Sequence, residues 1–222
     1  MSEIRLFPKE ATPMHIDESQ LQAFVAELIS TDGAHDLAHV QRVVANAKRY
    51  ATTEQADLAV VIPAAWLHDC VSIPKSWPDR SRASSLAANK AAERLLAWGY
   101  PRATIDGIHH AIVAHSYSAG IEARTLEAKI VQDADRIDAL GAIGISRCLL
   151  VGGNINRSLY SAIDPFCETR QPDDGEYCID HFFSKLFGIA ETLHTDAARQ
   201  DAKERVGFMR QFLARLAAEI SV

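Results

Sequence analysis

Two histidines and two aspartates between positions 39 and 135 are of a type and order that could hold a divalent cation. His39 stands in His35-Asp36-Leu37-Ala38-His39-Val40-Gln41-Arg42-Val43, and His68-Asp69 in Ala65-Trp66-Leu67-His68-Asp69-Cys70. Asp135 stands in Asp133-Ala134-Asp135-Arg136-Ile137-Asp138-Ala139-Leu140. The His68-Asp69 pair closes an apolar run of the kind that enters a core. An unpaired polar pair there would cost on the order of several kcal/mol, which a bound cation offsets. Imidazole and carboxylate together make an N/O set suited to Mn, Fe, Co, Ni, Zn or Mg. His35 and His39 are four apart and share a helical face, but Asp36 stands where a zincin has its glutamate, which argues against a zinc protease.

The elements that must position these residues read as helices almost throughout, because apolar residues recur at three-four spacing. Asp17 can cap a helix burying Leu21, Phe24, Val25, Leu28 and Ile29. A second helix is predicted from about Ala34 to Tyr50. A third runs from near Thr53 to near Cys70, with Pro63 inside it. Ser72 to Arg82 is a loop. Helices follow at about Ser84–Trp98, Ala103–Ser116 and Ala123–Leu140, where Gly141 ends or bends the last. Ser158 to Glu176 reads as a long loop or lid. Two more helices fill Tyr177–Leu193 and Ala198–Ile220. No segment shows clean period-two alternation, so the fold class is all-α.

On the Ala123–Leu140 helix, Leu126, Ile130, Ala134 and Ile137 form an apolar face that includes Asp133. Asp135 lies about 200° away from Asp133. Periodicity alone therefore favours Asp133 as the inward carboxylate, unless the helix is buried on two sides.

Composition narrows the class. The 222 residues suffice for one large domain, and 48% hydrophobic with 23% charged is ordinary for a globular protein. A net charge of -6 argues against a general nucleic-acid or acidic-membrane binder. The four cysteines, Cys70, Cys148, Cys167 and Cys178, form no Cys-x-x-Cys pair and read as reduced thiols. No apolar run is long enough to span a bilayer and no signal peptide stands at the N-terminus, so a cytoplasmic protein is expected.

The ordered strings carry a resemblance. His39, His68-Asp69 and Asp135 resemble the His…His-Asp…Asp signature of the HD-domain metal-dependent phosphohydrolase superfamily. Trp66-Leu67-His68-Asp69-Cys70, Ala114-His115-Ser116, Glu127 to Gly141 and His181-Phe182-Phe183-x-Lys185-Leu186 are similar to one bacterial subgroup, resembling nucleotide pyrophosphohydrolases. The similarity runs from about Leu21 to Ile220. It implies a single all-α HD-type domain across 1–222, with a core over about 21–150 and C-terminal helices 177–220 packed on it.

The resemblance implies His39, His68, Asp69 and Asp135 as ligands of one divalent ion, which settles on Asp135 where periodicity points to Asp133. It implies hydrolysis of a phosphate ester or anhydride in a small phosphorylated molecule, a nucleotide being the expected class. Asp69 and His115 are the expected catalytic residues, and Lys75, Arg80, Arg82 and Arg136 the expected partners of phosphoryl charge. His110 and His115 could hold a second metal. Some relatives carry an acidic residue three after the His-Asp pair; Ser72 stands there, so the proton-transfer residue is unassigned. Asp138 is a candidate to orient a ligand histidine, and His181 and Lys185 suit structural roles. Two other classes compete: a non-catalytic nucleotide sensor, and a di-iron oxygenase that would need the second metal. The oligomeric state is open, a homodimer included.

Overall fold

The computed structural model describes residues 17–28, 37–71, 73, 80–116 and 119–220, and Arg80 only in its backbone. His35, Ser72, Lys75, Trp77, Tyr117 and the Arg80 side chain lie outside the described residues. Among the described residues the chain is helical with no β-strand, and an isolated parallel bridge joins Ser158 to Tyr177. The helices are α1 (Glu18–Leu28), α2 (Leu37–Glu54), α3 (Leu58–Leu67), α4 (Ala83–Ala97), α5 (Arg102–His115), α6 (Leu126–Ile137), α7 (Gly141–Asn154), α8 (Phe187–Glu191) and α9 (Asp196–Ile220). A short 3₁₀ turn, Arg80–Arg82, leads into α4, and a π-helical turn, Phe182–Leu186, leads into α8.

Local chemistry sets the boundaries. Asp17 Oδ1 accepts the Gln20 amide and starts α1. The α2 helix continues through Glu54, and the next helix starts at Leu58 rather than near Thr53, because Asp57 caps it by accepting the Ala59 amide at 2.8 Å. Gly99, at φ +82°, ends α4 with the Tyr100 amide donating to Leu95 and the Gly99 amide to Leu96. This left-handed cap reverses the chain into α5. Thr125 caps α6. The turn after Ile137 carries Gly141 at φ +72°, so the glycine starts α7 instead of extending α6. The predicted helix over 177–193 is interrupted, its middle wound as the π turn.

Two helices lie at the centre. From Val61 to Leu67 every residue of α3 is buried, and α3 packs against α1, α2, α4, α5 and α6. The α6 helix is buried from Ile130 to Ala134 without a break and packs against α2, α3, α5 and α9. Neighbours crowd both helices from several sides, so side chains beside the most buried face can also be turned inward. The His68-Asp69 pair follows α3 directly and Asp135 lies on α6. No helix among the described residues is long and apolar enough to cross a membrane.

Candidate metal centre

Three histidines present the same ring nitrogen, Nε2, to the neighbouring carboxylates, and in each the other nitrogen is committed elsewhere. His39 Nδ1 lies 2.7 Å from Asp138 Oδ2. His68 Nδ1 lies 2.8 Å from the Ala65 carbonyl, and His115 Nδ1 2.6 Å from the Ile112 carbonyl. Carbonyls and carboxylates only accept, so each Nδ1 carries a proton and Nε2 is the atom left to face an ion. Successive rings meet edge to face, with centroids 5.6 Å apart for His39 and His68 and 5.0 Å for His68 and His115.

The carboxylates fill the gaps between these nitrogens. Asp135 Oδ1 lies 3.4 Å from His39 Nε2 and 3.8 Å from His68 Nε2. Asp69 approaches His68 Nε2 to 3.8 Å and His115 Nε2 to 3.6 Å. The donor atoms of His39, His68 and Asp135 lie within 4.8 Å of one another, and so do those of His68, Asp69 and His115. The separations at His68 exceed hydrogen-bond length but suit donors around a small cation. His68 Nε2 is fully buried and has no hydrogen-bond partner. Leaving that lone pair orphaned would cost about 1–3 kcal/mol, and a cation satisfies it. These residues could hold a metal ion.

Asp135 and His68 already hold the protonation state a metal requires, and His39 would have to shed a proton to bind one. Burial depresses the affinity of His39 for a proton, but Asp135 and Asp138 outweigh it and lift its pKa to about 9. Burial pushes His68 down, and its neighbouring carboxylates do not reverse this. For Asp135, burial opposes ionisation, yet His39 and the other imidazoles hold its pKa at about 2. Asp135 is thus a carboxylate and His68 a neutral imidazole at neutral pH, the protonation states that a metal requires.

Behind His39 stands Asp138, with no exposure to solvent. It accepts His39 Nδ1, Arg42 Nε at 2.7 Å, Arg42 Nη2 at 3.0 Å and Arg147 Nη1 at 3.0 Å. Burial opposes ionisation, but His39 and Arg42 hold its carboxyl well below the ordinary carboxylate range. Arg42 is one helical turn past His39, so its role has a signal in the sequence. Arg147 arrives from α7 and has none.

The other sequence candidates fall around this core. Asp133 turns away from it, accepting the amides of His194 and Thr195 and the Thr195 hydroxyl. Arg136 Nη1 donates to the Thr192 carbonyl at 2.9 Å. Arg82 is exposed on the 3₁₀ turn before α4. His110 Nε2 accepts the Arg124 amide, and His181 pairs with Asp174 at 2.6 Å. Neither joins the His39–His68–His115 group.

The HD domain family model matches residues 36–140, which spans every member of this centre. The chain is also 32% identical over 206 residues to the uncharacterized protein YpgQ of Bacillus subtilis (strain 168), covering 90% of this chain and 92% of the relative. The chain belongs to the HD domain family. The crystal structure of Bacillus subtilis YpgQ in complex with ADP superposes with a TM-score of 0.71 at 30% identity, over 91% of this chain and 94% of that one. A Bacillus thuringiensis HD-superfamily hydrolase superposes at 0.72 with 28% identity, over 90% of this chain and 95% of the other. In this HD domain the convergence of His39, His68, Asp69 and Asp135 stands at the seam between α2, the end of α3 and α6.

Proposed function

We propose that this HD domain is a divalent-metal-dependent phosphohydrolase acting on a small phosphorylated molecule, with a nucleotide as its substrate class. The observation that carries the reading is the orphaned His68 Nε2, set among His39, Asp69, Asp135 and His115. His39, His68, Asp69 and Asp135 would hold the ion, which supplies Lewis acidity that acidifies water and neutralises phosphoryl charge. The nucleotide class is supported by the ADP in the YpgQ crystal structure.

The chain's own groups supply the rest. Asp138 orients His39 and fixes its tautomer. The Ile112 carbonyl does the same for His115, aiming Nε2 at Asp69. Burial opposes a charge on His115, but Asp69 and Asp135 overcome it and raise its pKa above the ordinary imidazole value. His115 turns Nε2 toward Asp69 and is the group we assign to pass a proton to the departing oxygen. Lys75, Arg80 and Arg82, which follow His68-Asp69 in sequence, are the cations assigned to the phosphoryl oxygens.

The test is release of phosphate and pyrophosphate from a nucleotide panel, using metal-stripped protein resupplied with Mn, Mg, Co, Ni, Fe or Zn. Metal-restored release is expected, and the product separates pyrophosphohydrolysis from loss of one phosphate. Nucleotide binding without turnover in any metal would replace this reading with a sensor. Two irons per chain would point to the oxygenase.

A further inference from the structure

Between Gly141 and Ile163 the chain carries two charged residues, Arg147 and Arg157, and no acidic one, in a protein that is 23% charged with a net charge of -6. Arg147 is the one charged residue of α7, and it is turned to Asp138 at 3.0 Å. The rest of α7 is apolar or small on every side. A helix of that composition is normally buried all round. Among the described residues, however, the helix that α7 packs on closely is α9 alone. Cys178 covers part of its inner side, accepting the Cys148 thiol at its carbonyl at 3.3 Å and laying its own thiol against Gly152. The outer side is left to solvent.

That side is large. Ile143 and Leu150 lie two turns apart on one face, with Ser146 between them. Both are exposed, Leu150 to 68%, as are Val151 and, just past the helix, Ile155. The following loop adds to the patch. The Leu159 carbonyl accepts the Ile179 amide at 3.0 Å, next to Cys178, which brings Leu159 to the same end of α7. Leu159 is exposed, and Ile163 four residues on is 95% exposed. These six side chains together offer on the order of 600 Å² of apolar surface, the ceiling for the largest patch of an ordinary monomer. Each partner in a standard stable interface gives about 800 Å², so the patch supplies most of what a dimer needs.

We propose that this face seats a second copy of the chain, with the two α7 helices meeting across a two-fold axis. A closed pair sets the same patch on both sides, and an uncharged patch can face itself. Elsewhere two copies of net charge -6 repel; this stretch has no acidic residue to oppose contact. Ser146 and Gly153, four before and three after Leu150, are small enough to let two helices come close. The contact would brace from outside the helix that carries Arg147 to Asp138, behind His39. It is independent of the reaction assigned to the metal centre.

Sedimentation equilibrium of the full chain tests this, alongside Leu150→Glu, Ile163→Glu and a control, Leu96→Glu, which alters an apolar residue 54% exposed on α4. The parent and the control are expected to be dimers at about 10 µM, within the affinity range of interfaces of this size. Leu150→Glu is expected to be a monomer even at about 100 µM, because contact would bury an unpaired carboxylate. Its circular dichroism should match the parent's, since Leu150 is mostly exposed in a single copy. Ile163→Glu, outside any helix, should weaken the dimer with no question of folding. The parent's melting temperature should rise with protein concentration, and that of Leu150→Glu should not. A monomeric parent, dimers in both Leu150→Glu and Ile163→Glu, or equal dissociation of Leu96→Glu would each overturn the proposal. With a monomeric parent, co-sedimentation with phosphatidylcholine vesicles that Leu150→Glu loses would assign the face to a lipid surface instead.

Discussion

Asp133 and Asp135 stand two residues apart on α6 and do unrelated things. Asp135 faces His39 and His68, while Asp133 is spent on the backbone of His194 and Thr195, tying the start of α9 to α6. Replacing each with asparagine separates the roles. Asp135→Asn is expected to abolish tight metal binding while the protein melts within a few degrees of the parent, since a charged donor goes and the packing stays. Asp133→Asn is expected to keep the metal and lose about 1–3 kcal/mol of stability, because the amide cannot accept as many donors. Metal titration and thermal melts on both variants decide it, and the opposite ranking would return the ligand role to Asp133. Asp138→Asn should weaken metal affinity about 10–100-fold by loosening His39, read by competition against a chelator. That His39, His68 and Asp135 come together was legible from the order of the motifs. Periodicity pointed to Asp133 because it finds the most buried carboxylate, and Asp133 is that one; Asp135 is only half-buried, at the edge of the buried face where the centre stands.

At the scale of elements, the corner between α6 and α7 holds Asp138 in place. The turn that follows Ile137 brings Gly141 to φ +72° and packs Gly144 against the Ala139 backbone, where an added Cβ would lie 2.1 Å from the carbonyl oxygen. Backbone cannot yield as a flexible side chain would. Gly144→Ala is therefore expected to cost about 1–3 kcal/mol, and to weaken metal binding as well, because Asp138 and Arg147 flank the displaced corner. A melting temperature and metal affinity equal to the parent's would show that the corner is not under this constraint. Helix existence was readable from three-four spacing for α1, α2, α5 and α9, each of which buries one face. Boundaries were readable where a cap residue marks them, as Asp17 and Gly99 do. The join of α2 and α3 was misplaced because Asp57, not the apolar pattern, decides it. The π turn at Phe182–Leu186 has no local signature; its residues keep helical spacing, and Phe182 and Leu186 are buried by what surrounds them.

Across the whole molecule, buried carboxylates hold together the parts that helical packing alone does not. Residues 158–176 form an irregular stretch ordered by Asp164, which accepts the amides of Glu168, Thr169 and Arg170. Arg170 then grips Asp180 through two bonds of 2.5 and 2.7 Å, and Asp180 is fully buried. None of this was visible in the sequence, since the partners are set by where the chain returns and not by spacing. Asp201 does the equivalent work for α9, accepting Tyr50 at 2.5 Å together with Arg49 and Arg205, and so fastening α9 to α2. Burial opposes ionisation of both Asp180 and Asp201, but their arginines prevail, joined at Asp201 by the Tyr50 hydroxyl, and both carboxyls titrate below the ordinary value. A carboxyl depressed in the folded state contributes stability that is complete above its unfolded pKa of about 3.9 and drains as pH falls through that value. Melting temperature should therefore hold between neutral pH and about pH 5 and fall steeply below it. Asp201→Asn should begin lower at pH 7 and fall less steeply between about pH 5 and pH 3, because its share of the acid-sensitive stability is already gone. A parallel descent of the two proteins would mean that Asp201 titrates alike folded and unfolded, and that α9 is held by its apolar face alone.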